Sequence, residues 1–273
     1  MPKLSNAGVS PTHRTTATDH LGQKREVIIA GERPLIIKID DQELVTLMTL
    51  GSNPEDLVLG YVRNQGIIAK IEDIDSVNVD WENETATILT ASGKGLSGIE
   101  SRLSKQVVTS GCGQGTLFSC SLDKLYELKL NGYALRQSTL YALLQNLAGQ
   151  NFIYKQAGSV HGCALCQGDN VLMFIEDVGR HNAADAISGR MWVDGIGGAD
   201  KILYTTGRLT SEIVMKSAYM QIPFLVSRSG VTHMGLDLAQ DLGITLIARA
   251  KGSRFLAFTG ENNIIFDAIK TSE

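Results

Sequence analysis

No stretch of this chain approaches the ~20 consecutive apolar residues that a membrane-spanning helix needs. The opening run, Met1-Pro2-Lys3-Leu4-Ser5-Asn6, lacks the apolar core of a secretory signal. A cytoplasmic location without a membrane partner is therefore expected. Neither sign of charge is in excess: 25 Lys and Arg face 29 Asp and Glu, a formal net charge of −4. Duplex-nucleic-acid binders usually carry a strong basic surplus, so no nucleic-acid partner is expected. Cysteine is scarce, with Cys112, Cys120, Cys163 and Cys166 only. In a reducing compartment these four read as core thiols, metal ligands or reactive thiols rather than disulfides. No internal repeat is visible. What is plentiful is apolar residue, 43% of 273, enough for one large domain or two medium ones.

Along the chain, residues 1–23 are polar and aperiodic and read as a loose arm. Strands are expected at Arg25–Ala30, Pro34–Ile39 and Glu43–Leu50. Ser52-Asn53-Pro54-Glu55-Asp56 marks a helix start, with a capping side chain, proline in the first turn and acids at the positive end of the dipole. Ile74–Asp80 and Glu84–Thr90 read as paired strands, and Ala91–Gly98 as a mobile glycine- and serine-rich stretch. A short strand at Lys105–Thr109 leads to a glycine-rich turn, and Leu117–Gly132 reads as a linker. Ser138 is expected to cap a helix over Thr139–Leu147 that Gly149 ends. Ser159–Gln167 and Val171–Ile175 form a hairpin around Gly168-Asp169-Asn170. Strand and helix then alternate to Phe258, which implies a layered α/β architecture. The expected fold is α/β in two domains: an α+β domain over 1–110 and an α/β domain over 135–273, with a mobile cysteine loop and linker at 111–134 between them.

Two segments carry most of the chemistry. Ser110-Gly111-Cys112-Gly113-Gln114-Gly115 sets a thiol on a backbone free to bend, with amides that can stabilise a thiolate. A nucleophilic or sulfur-carrying role for Cys112 is favoured over a plain turn. Glu176-Asp177-Val178-Gly179-Arg180-His181-Asn182 leaves a strand and opens a helix, where α/β folds gather ligands. There Arg180 suits phosphate and His181 suits proton transfer. A cap accounts for Asp177 but not for the whole run. Thr206-Gly207-Arg208, Ser227-Arg228-Ser229-Gly230 and Arg249-Ala250-Lys251-Gly252-Ser253-Arg254 repeat the pattern past three further strand ends. Ser211-Glu212 is balanced between a helix cap and an anion site. Together these turns point to a phosphate-rich ligand. His161, Cys163 and Cys166 have the spacing of zinc ligands, but residues three apart on a strand face opposite sides. Buried thiols are the favoured reading, and no resident metal is expected.

The chain resembles the formate dehydrogenase accessory protein family, the FdhD sulfurtransferases. The resemblance is carried by Asn53-Pro54-Glu55-Asp56-Leu57, Gly60-Tyr61, Gln65-Gly66-Ile67-Ile68, Gly111-Cys112-Gly113, Val160-His161-Gly162, Glu176 to Ala183, Gly207-Arg208, Ser211-Glu212, Lys216 and Gly243-Ile244-Thr245-Leu246. It implies a homodimeric sulfur carrier whose C-terminal domain has the cytidine-deaminase fold. Cys112 would take sulfur from a cysteine desulfurase as a persulfide. It would pass it to the molybdenum cofactor with two guanine-dinucleotide pterins (molybdenum bis(molybdopterin guanine dinucleotide)), destined for formate dehydrogenase. The resemblance places cofactor binding on Arg249, Ala250, Lys251, Gly252, Ser253 and Arg254; the turn chemistry adds Arg180, His181, Asn182, Arg208 and His161. The chain departs from the family where Gly115 replaces the second cysteine of a Cys-x-x-Cys pair. It departs again where Arg249 replaces an aromatic residue and Lys251 an arginine. Two alternatives follow: a non-catalytic cofactor-holding chaperone, and a zinc hydrolase of deaminase type. The second lacks the glutamate such enzymes need two residues after the histidine, where Cys163 stands.

Overall fold

The computed structural model describes residues 1–93 and 128–268, together with the strand backbones Gln106–Thr109 and Gly115–Phe118. The first part holds β1 (Lys3–Leu4), β2 (Thr12–Thr18), β3 (Lys24–Ala30), β4 (Arg33–Ile39), β5 (Gln42–Thr49), α1 (Pro54–Asn64), β6 (Ile74–Asp80) and β7 (Thr85–Thr90). Five strands form one sheet in the order β1-β6-β7-β4-β5. Alternating side chains of β4 are buried, Leu35, Ile37 and Ile39, as a sheet with one packed face requires.

The arm expected to be loose over 1–23 instead carries β1 and β2. β2 pairs antiparallel with β3 from Thr12↔Ala30 to Thr18↔Lys24. The turn between them is tied by Asp19 Oδ1, which accepts from Leu21 N and Gln23 N at 2.9 and 3.0 Å. Four threonines make β2 polar, but their branched Cβ favours extended backbone. Helix α1 begins at Pro54 with Glu55 and Asp56 in its first turn, but the cap residue, Asn53, makes no side-chain cap bond.

β8 (Gln106–Thr109) and β9 (Gly115–Phe118) form an antiparallel pair. Cys112 and Cys120, most of the stretch Ala91–Gly98, and 119–127 of the expected linker lie outside the described residues.

The remainder holds β10 (Leu135–Arg136), α2 (Gln137–Ala148), α3 (Phe152–Ala157), β11 (His161–Gln167), β12 (Asn170–Asp177), α4 (Arg180–Val193), β13 (Ile202–Thr205), α5 (Ser211–Tyr219), β14 (Phe224–Ser227), α6 (His233–Leu242), β15 (Thr245–Lys251), β16 (Arg254–Ala257) and β17 (Ile264–Ile265). Six strands run in the order β12-β11-β13-β14-β15-β16, with β13, β14 and β15 parallel and the rest antiparallel. Every residue of β13 and β14 is buried, because helices cover both faces of the sheet. This is a mixed α/β fold. Ser138 does not cap α2: the helix already starts at Gln137, and Ser138 Oγ instead donates to Asp267 at 2.8 Å. Helix α3 was not expected, since its six residues carry no apolar period.

One buried apolar cluster runs from Leu35 and Ile88 through α1 and α4 to Leu203, Leu225 and Leu246. Its centre is the crossing of α1 over α4, built on two glycines. A Cβ on Gly60 would sit 1.7 Å from the Asp185 carbonyl oxygen, and one on Gly189 would sit 1.9 Å from that of Asp56. Only hydrogen fits at either place, so the two backbones meet without an intervening layer of side chains.

Candidate functional site

The carboxyl ends of β13 and β14 and the amino end of the antiparallel β11 lie along one edge of the six-stranded sheet. Thr206 N donates to Gly162 O at 2.9 Å, which brings His161 beside the Gly207-Arg208 turn. Ser227 Oγ donates to Gly207 O at 2.6 Å, and Arg249 N donates to Ser229 O at 2.8 Å. These bonds tie three turns into a continuous rim. Arg180 is buried, and its stem packs so closely on Gly207 that a Cβ there would lie 2.4 Å from Arg180 Cδ. Arg208 and Arg228 are exposed. The His161 imidazole is held below its usual range, first by burial and then by Arg180, Arg228 and Arg208. All three positive charges act on the same imidazole, so the edge favours anions.

The rim continues into the β15–β16 hairpin. Arg249 takes a positive φ of 51° at a bulge, and Gly252 one of 58° at the turn. Arg249, Lys251, Gly252, Ser253 and Arg254 are exposed, whereas the Ala250 side chain is buried in the core. Ala250 can thus meet a ligand only through its backbone.

Behind the rim lies a buried polar network. His181 Nε2 stands 3.2 Å from Glu212 Oε2, and Lys216 Nζ stands 3.8 Å from Glu212 Oε1. Lys216 Nζ also donates to both oxygens of Asp185, at 2.7 and 2.8 Å. Asn64 Nδ2 donates to Asp185 Oδ1 at 2.7 Å, and Ser188 Oγ to Asn64 Oδ1 at 2.9 Å. Burial, then the Lys216 and Arg180 charges, depress the His181 imidazole well below its usual range. It is therefore neutral at pH 7, with its Nε2 proton directed at Glu212. Burial raises the Asp185 carboxyl, and Lys216 opposes that shift. Helices α1, α4 and α5 each contribute to this network, and sequence reasoning missed Asn64 and Asp185 altogether. A mid-helix glycine such as Gly60 or Gly189 was the available signal of a close helix crossing.

Other residues of the Glu176–Asn182 run hold the fold. Asp177 Oδ2 accepts from Thr49 Oγ1 at 2.6 Å and Leu50 N at 3.1 Å; its Oδ1 accepts from Gly179 N and Asn182 Nδ2. Asn182 Nδ2 also donates to Met48 O at 2.7 Å, which fastens the start of α4 to β5. Glu176 accepts from Ile153 N at 2.8 Å and Tyr154 N at 2.9 Å, thereby capping α3. The cap of α5 is Thr210, with no side-chain bond, while Glu212 belongs to the network. Cys163 and Cys166 are both buried and belong to different clusters on the two faces of the sheet. Burial pushes each thiol up to about 12. Among the described residues no group of three or more His, Cys, Asp or Glu is placed to hold a metal ion.

A protein-family model, that of the FdhD/NarQ family, matches residues 30–265. The chain belongs to the FdhD/NarQ family. Relatives include a protein from Listeria monocytogenes named sulfur carrier protein FdhD, 32% identical over 246 residues, covering 89% of this chain and 93% of that one. Another of the same name from Geobacillus kaustophilus is 30% identical over 238 residues, covering 87% and 90%. Among solved structures, a candidate formate dehydrogenase accessory protein from Desulfotalea psychrophila superposes with a TM-score of 0.74 at 25% identity, over 93% of this chain and 98% of that one. The FdhD/NarQ match spans the arginine rim, the buried network and the segment that contains Cys112.

Proposed function

We propose that the chain is a sulfur carrier for a formate dehydrogenase, which accepts sulfur on Cys112 and delivers it to a phosphate-rich molybdenum cofactor. The observation that carries the reading is the rim of tied turns that bears Arg180, Arg208 and Arg228, continued by exposed Arg249, Lys251 and Arg254 of the next hairpin. Such a rim suits a ligand with several phosphates, as a bis(guanine dinucleotide) molybdopterin is. That cofactor is the cargo of the reaction. Loading is a thiol–persulfide exchange: Cys112 thiolate attacks the outer sulfur of a cysteine desulfurase persulfide. The donor's S–S bond breaks, a new one forms on Cys112, and the donor leaves as a thiolate that takes up a proton. The family resemblance supports a homodimer, a cytoplasmic setting and a deaminase-like C-terminal domain.

The test is peptide mass spectrometry after incubation with a cysteine desulfurase and cysteine. A sulfane-sulfur adduct on Cys112, lost in Cys112→Ser, supports the carrier role. Gly115, where the family has its second cysteine, favours a second reading, in which the chain holds the cofactor while another protein supplies sulfur. Guanine-nucleotide binding with Cys112 unmodified selects that reading.

A further inference from the structure

The two edges of the six-stranded sheet differ. β16 at one edge is four residues long and begins with Arg254, the short, charged form that discourages further pairing. β12 at the other edge is eight residues long, and its run Val171-Leu172-Met173-Phe174-Ile175 carries neither charge nor proline. Among the described residues β12 pairs with β11 alone, so the backbone groups along its outer side meet no strand. An uncharged edge of this length is a template for another extended chain.

A groove of about 380 Å³ lies along that strand. Ser52 and Asn53, just before α1, line it, as do Gln150, Phe152 and Ile153 at the start of α3. Leu172 is 45% exposed and Phe152 is 63% exposed, so the groove presents apolar surface to solvent. Ser52 Oγ is buried and has no hydrogen-bond partner among the described residues. A hydroxyl in that state calls for a partner from outside the chain.

The two ends of β12 carry opposite charge. At the α3 end the Glu176 carboxylate is taken up by the amides of Ile153 and Tyr154. Two exposed cations stand over the aromatic rings of α3: Lys155 Nζ is 5.9 Å from the Phe152 ring centre, and Arg228 Cζ is 5.7 Å from that of Tyr154. At the other end exposed Asp169 occupies the turn before β12. A chain laid along β12 therefore meets positive charge at α3 and negative charge at the turn.

We propose that β12 receives an extended segment of a partner protein, paired along its outer side, with apolar side chains at alternate positions and a carboxylate at the α3 end. Main-chain hydrogen bonds to β12 supply affinity, and the groove reads every second side chain. Ser52 Oγ gains its missing partner from that segment. Docking of this kind is independent of whether Cys112 carries sulfur, and through Arg228 it brings the partner beside the arginine rim.

Fluorescence anisotropy on the full chain tests it with labelled peptides as long as β12, eight residues, alternating valine and threonine. One pair carries two aspartates at the amino or the carboxyl end. A second pair carries lysines there, and a third set has proline in place of a central valine. The expected result is saturable binding of one aspartate peptide, about fivefold tighter than of its lysine counterpart, and none of the proline forms. Lys155→Glu should reverse the charge preference. Leu172→Lys, at an exposed position, should weaken every peptide, and hydrogen exchange should slow at β12 amides when the aspartate peptide is added. Absence of saturable binding, equal binding of the proline forms, or binding unchanged in Leu172→Lys overturns the proposal. A dimer that Leu172→Lys splits, with no peptide bound by the parent, assigns the edge to a second copy of the chain and overturns it too.

Discussion

Lys216 is the residue whose removal exposes the energetics of the network most directly. Its ammonium lies 2.7 Å from Asp185, with both side chains at most 3% exposed. Lys216→Met keeps the volume and apolar stem but leaves the Asp185 carboxylate without its counter-charge. Breaking a buried pair in this way costs about 3–5 kcal/mol, a large share of a typical domain's stability. The loss depends on pH, and its sign is fixed. Burial already raises the Asp185 carboxyl with Lys216 in place, and removal of Lys216 raises it further. An unfolded aspartate ionises near pH ~3.9. Between that value and the raised native one, the folded chain holds a proton that the unfolded chain has released. Stability of the variant then falls as pH rises, by about 1.4 kcal/mol per unit. Urea unfolding followed by Trp81 and Trp192 fluorescence should show a small deficit near pH 4.5 and the full deficit near pH 8. Asp185→Asn combined with Lys216→Met should recover most of it. A deficit under about 1 kcal/mol at pH 8, or one equal at both pH values, refutes the reasoning.

Gly60→Ala should cost about 3 kcal/mol, because the helices must part to admit a methyl group; a thermal scan close to that of the parent would contradict the crossing geometry. Glu176→Ala removes both acceptors at the start of α3 and should cost about 1–2 kcal/mol. Its amide hydrogen exchange should quicken at Ile153 and Tyr154 while β13 and β14 keep their protection. Thr49→Val deletes the 2.6 Å bond to Asp177 and should cost about 1.5–3 kcal/mol, the range for a hydrogen bond to a charged group. Denaturant midpoints with an unchanged m-value check it.

The strand–turn–helix series from His161 to Phe258 was legible because its signals are local. Glycine turns punctuate it, Thr232 caps α6 by accepting from Gly235 N, and Gly243 ends that helix with a left-handed φ of 74°. Arg180, Arg208 and Arg228 were legible for the same reason, each standing just past a strand, whereas Arg249 and Arg254, expected past a strand end, lie within β15 and β16. Of the polar network only His181, Glu212 and Lys216 drew attention, since Asn64 and Asp185 are single residues on two helices and carry no shared local pattern. They meet only because α1 and α4 touch at Gly60 and Gly189. The N-terminal hairpin was missed because polarity was weighed above the branched Cβ of its threonines. Asp177 is structural, as a cap reading of the motif already allowed, and Glu176, which the motif left open, is committed to α3.

Cys163 and Cys166 differ in kind from a thiol poised for reaction. With each thiol pushed up to about 12, the thiolate fraction at neutral pH is negligible. Set on opposite faces of one sheet, the two cannot close on each other. A chain that carries reactive sulfur risks losing it to its own thiols, since any nearby thiolate can seize the outer sulfur atom. The six-stranded sheet acts as electrical insulation: its interior denies both sulfurs the charge that attack requires, so under the proposed carrier role neither would compete for the sulfur.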